Sequence, residues 1–320
     1  MHVNFATDFV KVALNYHFGT QSGPDADVVA ALETAAQGMS LEVGTRYWYS
    51  SGRTQYAYAT NQPSLTSKLT YDGLTAHSGE LFFRADHPSD VFVKGLVGLG
   101  GITGGNLKDE DFPPITTPYS ATNSHQKDGS LTYFDVDFGY TLLKGDGYRF
   151  GPLVGYRYYH EVLNAYGCNQ LAGNAGICAP PIPTSTLGIT NDEQWNSVRL
   201  GFTGDVKLTD RLKLTGDAAW LPFSYLDGRD THWLRINTPG GFLAGVPLTA
   251  SGHNGLQLEA VLSYQVTPAV SVGVGGRFWH DEATGFVHQE NQLVSAPGFA
   301  VPASFTTDRY GGFLQAAVRF

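Results

Sequence analysis

Ten stretches of the chain alternate apolar and polar residues with the period of two that a half-exposed strand requires. They cover residues 41–50, 64–86, 90–103, 131–143, 148–165, 193–208, 211–226, 252–266, 269–283 and 306–320. In the fourth, Phe134, Val136, Phe138, Tyr140 and Leu142 alternate with Asp135, Asp137 and Gly139; in the eighth, Leu256, Leu258, Ala260, Leu262 and Tyr264 alternate with Gln257, Glu259 and Ser263. The tenth closes the chain with Tyr310, Gly312, Leu314, Ala316, Val318 and Phe320 on one face, an amphipathic strand with a terminal aromatic. Two architectures produce this pattern. A barrel in a bilayer turns the apolar set toward lipid and the polar set toward its lumen, whereas a soluble sandwich turns the apolar set inward.

The connections favour the barrel. Four are tight and rich in turn-forming residues: His87-Pro-Ser-Asp90, Lys144-Gly-Asp-Gly147, Thr209-Asp210 and Thr267-Pro268. The five that alternate with them are long, spanning 51–63, 104–130, 166–192, 227–251 and 284–305. Short turns on one side and long loops on the other are the signature of outer-membrane barrels. About 9–11 tilted residues cross a bilayer, so segments such as 64–86 and 148–165 are expected to rise above the outer leaflet. Tyr47, Trp48, Tyr156, Tyr158, Trp220, Phe278 and Trp279 are candidates for the interfacial aromatic girdle. Glu42, Arg46, Lys68, Arg84, Asp135, Asp137, Glu259 and Arg277 suit an ion-pair network inside a lumen that ten strands leave too narrow for a pore.

Composition agrees with that picture. The 39 glycines, 13% aromatics and only 15% charged residues suit many twisted strands and few solvated helices. No apolar run approaches the roughly 18 residues of a spanning helix, so entry into a membrane requires a closed barrel, which alone among sheets pairs every backbone group in lipid. A net charge of −9 argues against a nucleic-acid partner. The expected fold is all-β: a ten-stranded antiparallel transmembrane barrel over residues 40–320 that extends above the outer membrane. Residues 1–39 form an N-terminal extension. Within it Phe9–Phe18 alternates like the closing strand of an upstream barrel or belongs to an unattached segment, Gly19–Pro24 is a linker, and Asp25–Gln37 is a short helix with Val28, Val29, Leu32 and Ala36 on one face. Met1-His2-Val3-Asn4 has neither a basic start nor an apolar core, so no secretory signal is legible there. Cys168 and Cys178 bracket a Gly/Asn/Ala-rich loop and read as one loop-stapling disulfide, with a free buried pair as the alternative.

Two clusters could carry chemistry. Asp109, Glu110 and Asp111 follow the third alternating segment; Asp230 and His232 flank Thr231 after the seventh. On extended backbone, residues i and i+2 share a face, and both clusters follow strands that run toward the long-loop side. An Asp–His pair can hold a water and take its proton, since the carboxylate fixes the imidazole tautomer and steadies the imidazolium. A second pair of carboxylates could position that water and meet developing charge. The bland reading, solvated acids at loop starts, stays open on spacing alone. There is no Gly-x-Ser-x-Gly elbow for a barrel lipase and no His-x-x-x-His, and no metal site is expected.

The segment Gly104-Gly-Asn-Leu-Lys-Asp-Glu-Asp-Phe112 resembles the Gly-Gly-Asn-Met-x-Asp-x-Asp-Trp segment of the omptins, outer-membrane endopeptidases with ten-stranded barrels. Asp230-Thr231-His232 is similar to their Asp-Glu-His, and Tyr264-Gln-Val-Thr-Pro268 to their Tyr-Tyr-Val-Thr-Pro turn. The resemblance covers residues 40–320. It implies that His232 activates the attacking water, that Asp230 orients His232, and that Asp109 and Asp111 complete the water site at the extracellular rim. It implies a peptide or protein substrate and no cofactor. Lipopolysaccharide is the implied activator, held with outer-membrane lipid by basic residues of the outer wall, for which Arg157 and Arg199 are candidates, with a place in the lumen as the alternative for both. The family's acidic pocket for basic substrates is not retained: Tyr49 or Ser50, Gly228 and a residue near Ala121 stand at those positions. Asp227 and Glu110 are the remaining acidic candidates for substrate binding, and a specificity other than dibasic is expected. The alternative is a non-enzymatic surface barrel, an adhesin or an inactive relic that binds partners through its outer loops.

Overall fold

The computed structural model describes residues 38–59, 66–112, 118–174, 176–235, 245–291 and 296–320. The expectations for Phe9–Phe18, the linker and the helix at Asp25–Gln37 lie outside these residues. The chain divides at Met39/Ser40, and the unit from Ser40 to Phe320 is one antiparallel sheet closed on itself.

Its strands are β1 (Ser40–Tyr58), β2 (Ser67–Asp86), β3 (Val91–Asp111), β4 (Ser120–Gln126), β5 (Gly129–Tyr140), β6 (Leu143–Gly145), β7 (Tyr148–Gln170), β8 (Ile182–Lys207), β9 (Leu212–His232), β10 (Gly245–Gly252), β11 (Gly255–Gln265), β12 (Val270–Asn291) and β13 (Ala296–Arg319). β4 and β5 both fill the place between β3 and β7, with β6 continuing it along β7, and β10 and β11 fill the place between β9 and β12. Thirteen segments thus make a ring of ten places. Pairing of β13 with both β1 and β12 closes it, so no edge is left to be satisfied by lipid.

The alternation resolves as the barrel requires. Phe138, Leu262 and Leu314 point outward and are exposed, while Asp135, Asp137, Gln257 and Ser263 are buried in the lumen. The outward apolar positions rise from the short-turn end to Tyr49, Tyr156, Trp220, Phe223, Tyr225 and Tyr310; above that ring the outward positions turn polar, with Arg53, Lys108, Asp192, Asp227 and Asp308. Two expected girdle residues go elsewhere. Trp48 and Trp279 are buried and meet at 4.7 Å inside the lumen, edge-packed with Tyr133, because they occupy inward positions of β1 and β12.

This aromatic cluster separates two charged layers. Below it Arg277 bridges Glu80 (2.6 Å) and Glu259 (2.7 Å), Arg46 reaches Glu259 (3.0 Å), and Arg199 gathers Asp135 (2.7 Å), Asp137 (2.9 Å) and Asp217 (3.1 Å). Above it Arg157 pairs with Asp281 and Arg309 with Glu161, each at 2.6 Å. Arg157 and Arg199 are therefore lumen residues and do not belong to an outer-wall lipid site. Lys68, expected in the lumen, stands on the outer wall at the rim, paired with Glu110 at 3.1 Å.

Most residues expected to form long outer loops are strand instead: β3 runs on to Asp111, β8 begins at Ile182, and β9 runs on to His232. Above the lipid the outward face no longer needs to be apolar. The alternation that marks a strand in the bilayer is then lost, although the hydrogen-bond ladder continues.

Candidate active site

Two bulges decide which way the acidic clusters face. Along β2 and β3, Ala76 pairs with Ile102, Thr75 with Gly104 and Asp72 with Asn106, so each strand spends one extra residue there. Because side chains alternate with period two, one extra residue exchanges the faces of everything beyond it. Below the bulge Ile102 is inward; above it Leu107, Asp109 and Asp111 are inward, and Lys108 and Glu110 are outward. Gly105 makes this possible. Its φ of 136° lies where side chains are rarely tolerated, and a Cβ would sit 3.0 Å from both the Asp72 carbonyl oxygen and Leu74 Cδ2. On β9 the step from the Leu200–Trp220 pair to the Val198–Phe223 pair spends one extra residue beside Pro222, which brings Leu226, Asp230 and His232 inward.

The Asp230 carboxylate is completely buried. His232 Nε2 lies 3.0 Å from its Oδ2, and the imidazole keeps 12% of its side-chain surface exposed. The Tyr56 hydroxyl of β1 donates to the same Oδ2 across the lumen, with its ring stacked at 5.9 Å on Phe305. Burial first, and then the Asp230 charge, push the Tyr56 phenol well above its ordinary range, so it stays a donor. Asp230 and His232 are thus in hydrogen-bonding contact. The second partner of Asp230, Tyr56, lies in 51–63, a segment whose sequence pattern predicts a loop, so sequence alone does not point to it.

Asp109 and Asp111 are half-buried on the same inward face of β3, opposite Leu69 and Ser67 of β2 and Thr122 and Ser120 of β4. Tyr71 stands one inward position below Leu69 on β2. Its phenol is raised by burial and then by the charges of Asp230 and Asp109. Beneath them, Asn191 lies opposite Asp230 on β8 and donates to Glu193 Oε1 at 2.9 Å, and Trp195 Nε1 approaches Glu193 Oε2 at 3.3 Å. Burial, opposed by those hydrogen bonds and reinforced by the Glu161 charge, pushes the Glu193 carboxyl up to about 7. Asn191, Glu193 and Tyr71 were also missed from sequence. Their only signal is a polar or phenolic side chain at an inward position above the girdle.

Two candidates do not join this cluster. Asp227 is exposed on the outward face of β9, and Glu110 is held on the outer wall between Lys68 (3.1 Å) and Lys108 (2.7 Å). Gly228 faces inward, but a Cβ there would meet the Asp192 carbonyl oxygen at 2.5 Å, so no acidic side chain could occupy the position without backbone movement. Cys168 and Cys178 form a disulfide at the outer end of β7. Among the described residues no group of three or more His, Cys, Asp and Glu is arranged to hold a metal ion.

A closed antiparallel barrel with an apolar outer belt and a polar lumen defines the class: an outer-membrane type of β-barrel. Among solved structures the chain is similar to the outer membrane protease OmpT from Escherichia coli, with a TM-score of 0.72 at 15% identity over 88% of this chain and 97% of that one. Weaker likenesses include the translocator domain of the autotransporter NalP from Neisseria meningitidis (TM-score 0.38, 11% identity, 92% and 96% covered) and the attachment invasion locus protein Ail of Yersinia pestis (TM-score 0.30, 9% identity, 87% and 98% covered). No protein-family model and no curated protein sequence matches the chain.

Proposed function

We propose that the barrel is an outer-membrane endopeptidase whose water is activated by His232 and Asp230 and positioned by Asp109 and Asp111 at the extracellular rim. The observation that carries this reading is the His232–Asp230 contact, with Asp230 fully buried and clamped by Tyr56. A buried carboxylate with one oxygen so fixed holds the ring orientation and stabilises the imidazolium. In the reaction His232 takes a proton as the water oxygen bonds to the scissile carbonyl carbon. The resulting tetrahedral intermediate expels the amine, which leaves with that proton and then takes the proton of the new carboxylic acid, giving a carboxylate and an ammonium group. Asp109 and Asp111 orient the water and compensate the imidazolium charge.

The substrate is a peptide or protein, and its specificity is not dibasic, because Gly228 has no room for a side chain and Asp227 faces away. Lipopolysaccharide is the proposed activator, held on the outer wall by groups other than Arg157 and Arg199. The competing reading, a non-enzymatic surface barrel, draws on the same closed Gly228 position. Purified protein in detergent, with and without lipopolysaccharide, is incubated with a diverse peptide library. Cleavage lost by on the order of 100-fold or more in His232→Ala, with the barrel still folded, supports the peptidase. Equal cleavage in wild type and His232→Ala removes it, and intact peptides throughout favour the binder.

A further inference from the structure

Tyr71 is fully buried, and its hydroxyl makes no hydrogen bond among the described residues. A buried phenol normally finds a partner, so the position calls for a reason. Two further atoms share its situation: Asp230 Oδ1, whose carboxylate is otherwise bound through Oδ2, and Asn191 Oδ1, whose amide nitrogen is committed to Glu193. Asn191 and Asp230 are directly opposed on β8 and β9 with both side chains inward. That pairing holds their Cβ atoms within about 5.5 Å. Tyr71 is a diagonal neighbour of Tyr56, which bonds the same carboxylate, on the inward face of the β1–β2 pair, and it shares the inward face of the β2–β3 pair with Asp109, one diagonal step away.

We propose that Tyr71 is a positioning residue of the hydrolytic site: its hydroxyl donates to a buried water that in turn donates to Asp230 Oδ1 and Asn191 Oδ1, tying the Asp230–His232 pair to the β2–β3 side of the lumen that carries Asp109. One donor and two acceptors match the two to four bonds a buried water needs. The phenol is well suited to the role, since burial and two nearby carboxylates keep it protonated. With Oδ2 shared by Tyr56 and His232 and Oδ1 held by this water, the carboxylate cannot rotate, and the imidazole keeps its orientation through the proton transfer.

The role rests on the peptidase reading, and the test separates the two. A crystal structure of the wild-type barrel that resolves its waters should show one within hydrogen-bond distance of Tyr71 Oη and Asp230 Oδ1, and the same structure of Tyr71→Phe should show it lost or displaced. No water there, or a protein group bonded to Tyr71 Oη, overturns the proposal whether or not the protein cleaves peptides. In the cleavage assay Tyr71→Phe should lower kcat by on the order of 10- to 100-fold and change KM by less than about twofold. An unchanged kcat, or a loss matched by an equal loss of folded barrel on heat-modifiability gels, also overturns it. If the wild type cleaves nothing, the peptidase reading falls alone, and the water still decides where Tyr71 is anchored.

Discussion

The bulge at Gly105 can be tested by adding one methyl group. Gly105→Ala keeps the strand composition but places a Cβ at 3.0 Å from the Asp72 carbonyl oxygen and Leu74 Cδ2, on backbone with φ of 136°. Holding a non-glycine residue in such a region costs on the order of 1–3 kcal/mol, and the contact with a backbone oxygen adds to it because that atom cannot swing away. The strand can escape only by giving up the bulge, which would turn Leu107, Asp109 and Asp111 outward and Lys108 and Glu110 inward. Gly79→Ala is the matched control: Gly79 lies on the same strand pair, with ordinary φ and no heavy atom within 4 Å of a built Cβ. There the change is expected to stabilise by less than about 1 kcal/mol, through the unfolded chain. Urea unfolding in detergent micelles, followed by the fluorescence of buried Trp48, Trp195 and Trp279, measures both. The argument fails if Gly105→Ala loses no more stability than Gly79→Ala, or if it loses stability while peptide cleavage per folded molecule is unchanged.

Two further outcomes follow from the lumen. Arg157→Leu strands Asp281, which is 1% exposed and bound to Arg157 at 2.6 Å; breaking such a pair from one side costs about 3–5 kcal/mol, whereas the double change Arg157→Leu with Asp281→Leu should recover most of it, as chemical unfolding of the three proteins would show. Glu193, above the membrane-spanning part of β8, is raised from an ordinary 4.5 to about 7. The folded state therefore binds more protons than the unfolded state between those values, and stability falls as pH rises from 4.5 to 7. The penalty is complete above 7 and amounts to up to about 3 kcal/mol. Glu193→Gln should abolish that slope, and parallel slopes in the two proteins would contradict the assignment.

What the sequence revealed depends on where lipid touches the chain. Inside the bilayer each strand has one face selected for apolarity, so Phe134 to Leu142 and Leu256 to Tyr264 could be assigned face by face. Above it Asn106 and Lys108 face water on one side and the lumen holds polar groups on the other, so no period survives and the pattern reads as loop. The same limit explains the girdle: Trp48 and Trp279 have the composition of interfacial residues, and only their parity against Tyr47, Tyr49 and Phe278 shows that they point inward. Asp109 with Asp111, and Asp230 with His232, can be placed on shared faces from sequence because i, i+2 spacing survives any register. The bulges that choose their face were not found, since an extra residue in one strand is visible only against its partner.

The layering of the lumen connects stability to the candidate site. Ion pairs below the aromatic cluster cross the barrel in shared sets, so that each carboxylate has a cation beside it: Arg277 with Glu80 and Glu259, Arg199 with three aspartates, Lys94 with Asp217 and Asp137. Above it Arg157 and Arg309 pair with Asp281 and Glu161, while among the described residues Asp230 and Glu193 show hydrogen bonds from a phenol, an amide and an indole and no ion pair with an arginine. Burying carboxylates without a full counter-charge is costly, and a scaffold meant only to stand in a membrane gains nothing from it. His232 joins these buried acids through its 3.0 Å contact with Asp230 and keeps 12% of its side-chain surface exposed. Two buried acids held by hydrogen bonds alone, beside His232, are the strongest argument for the chemistry proposed at this end of the barrel.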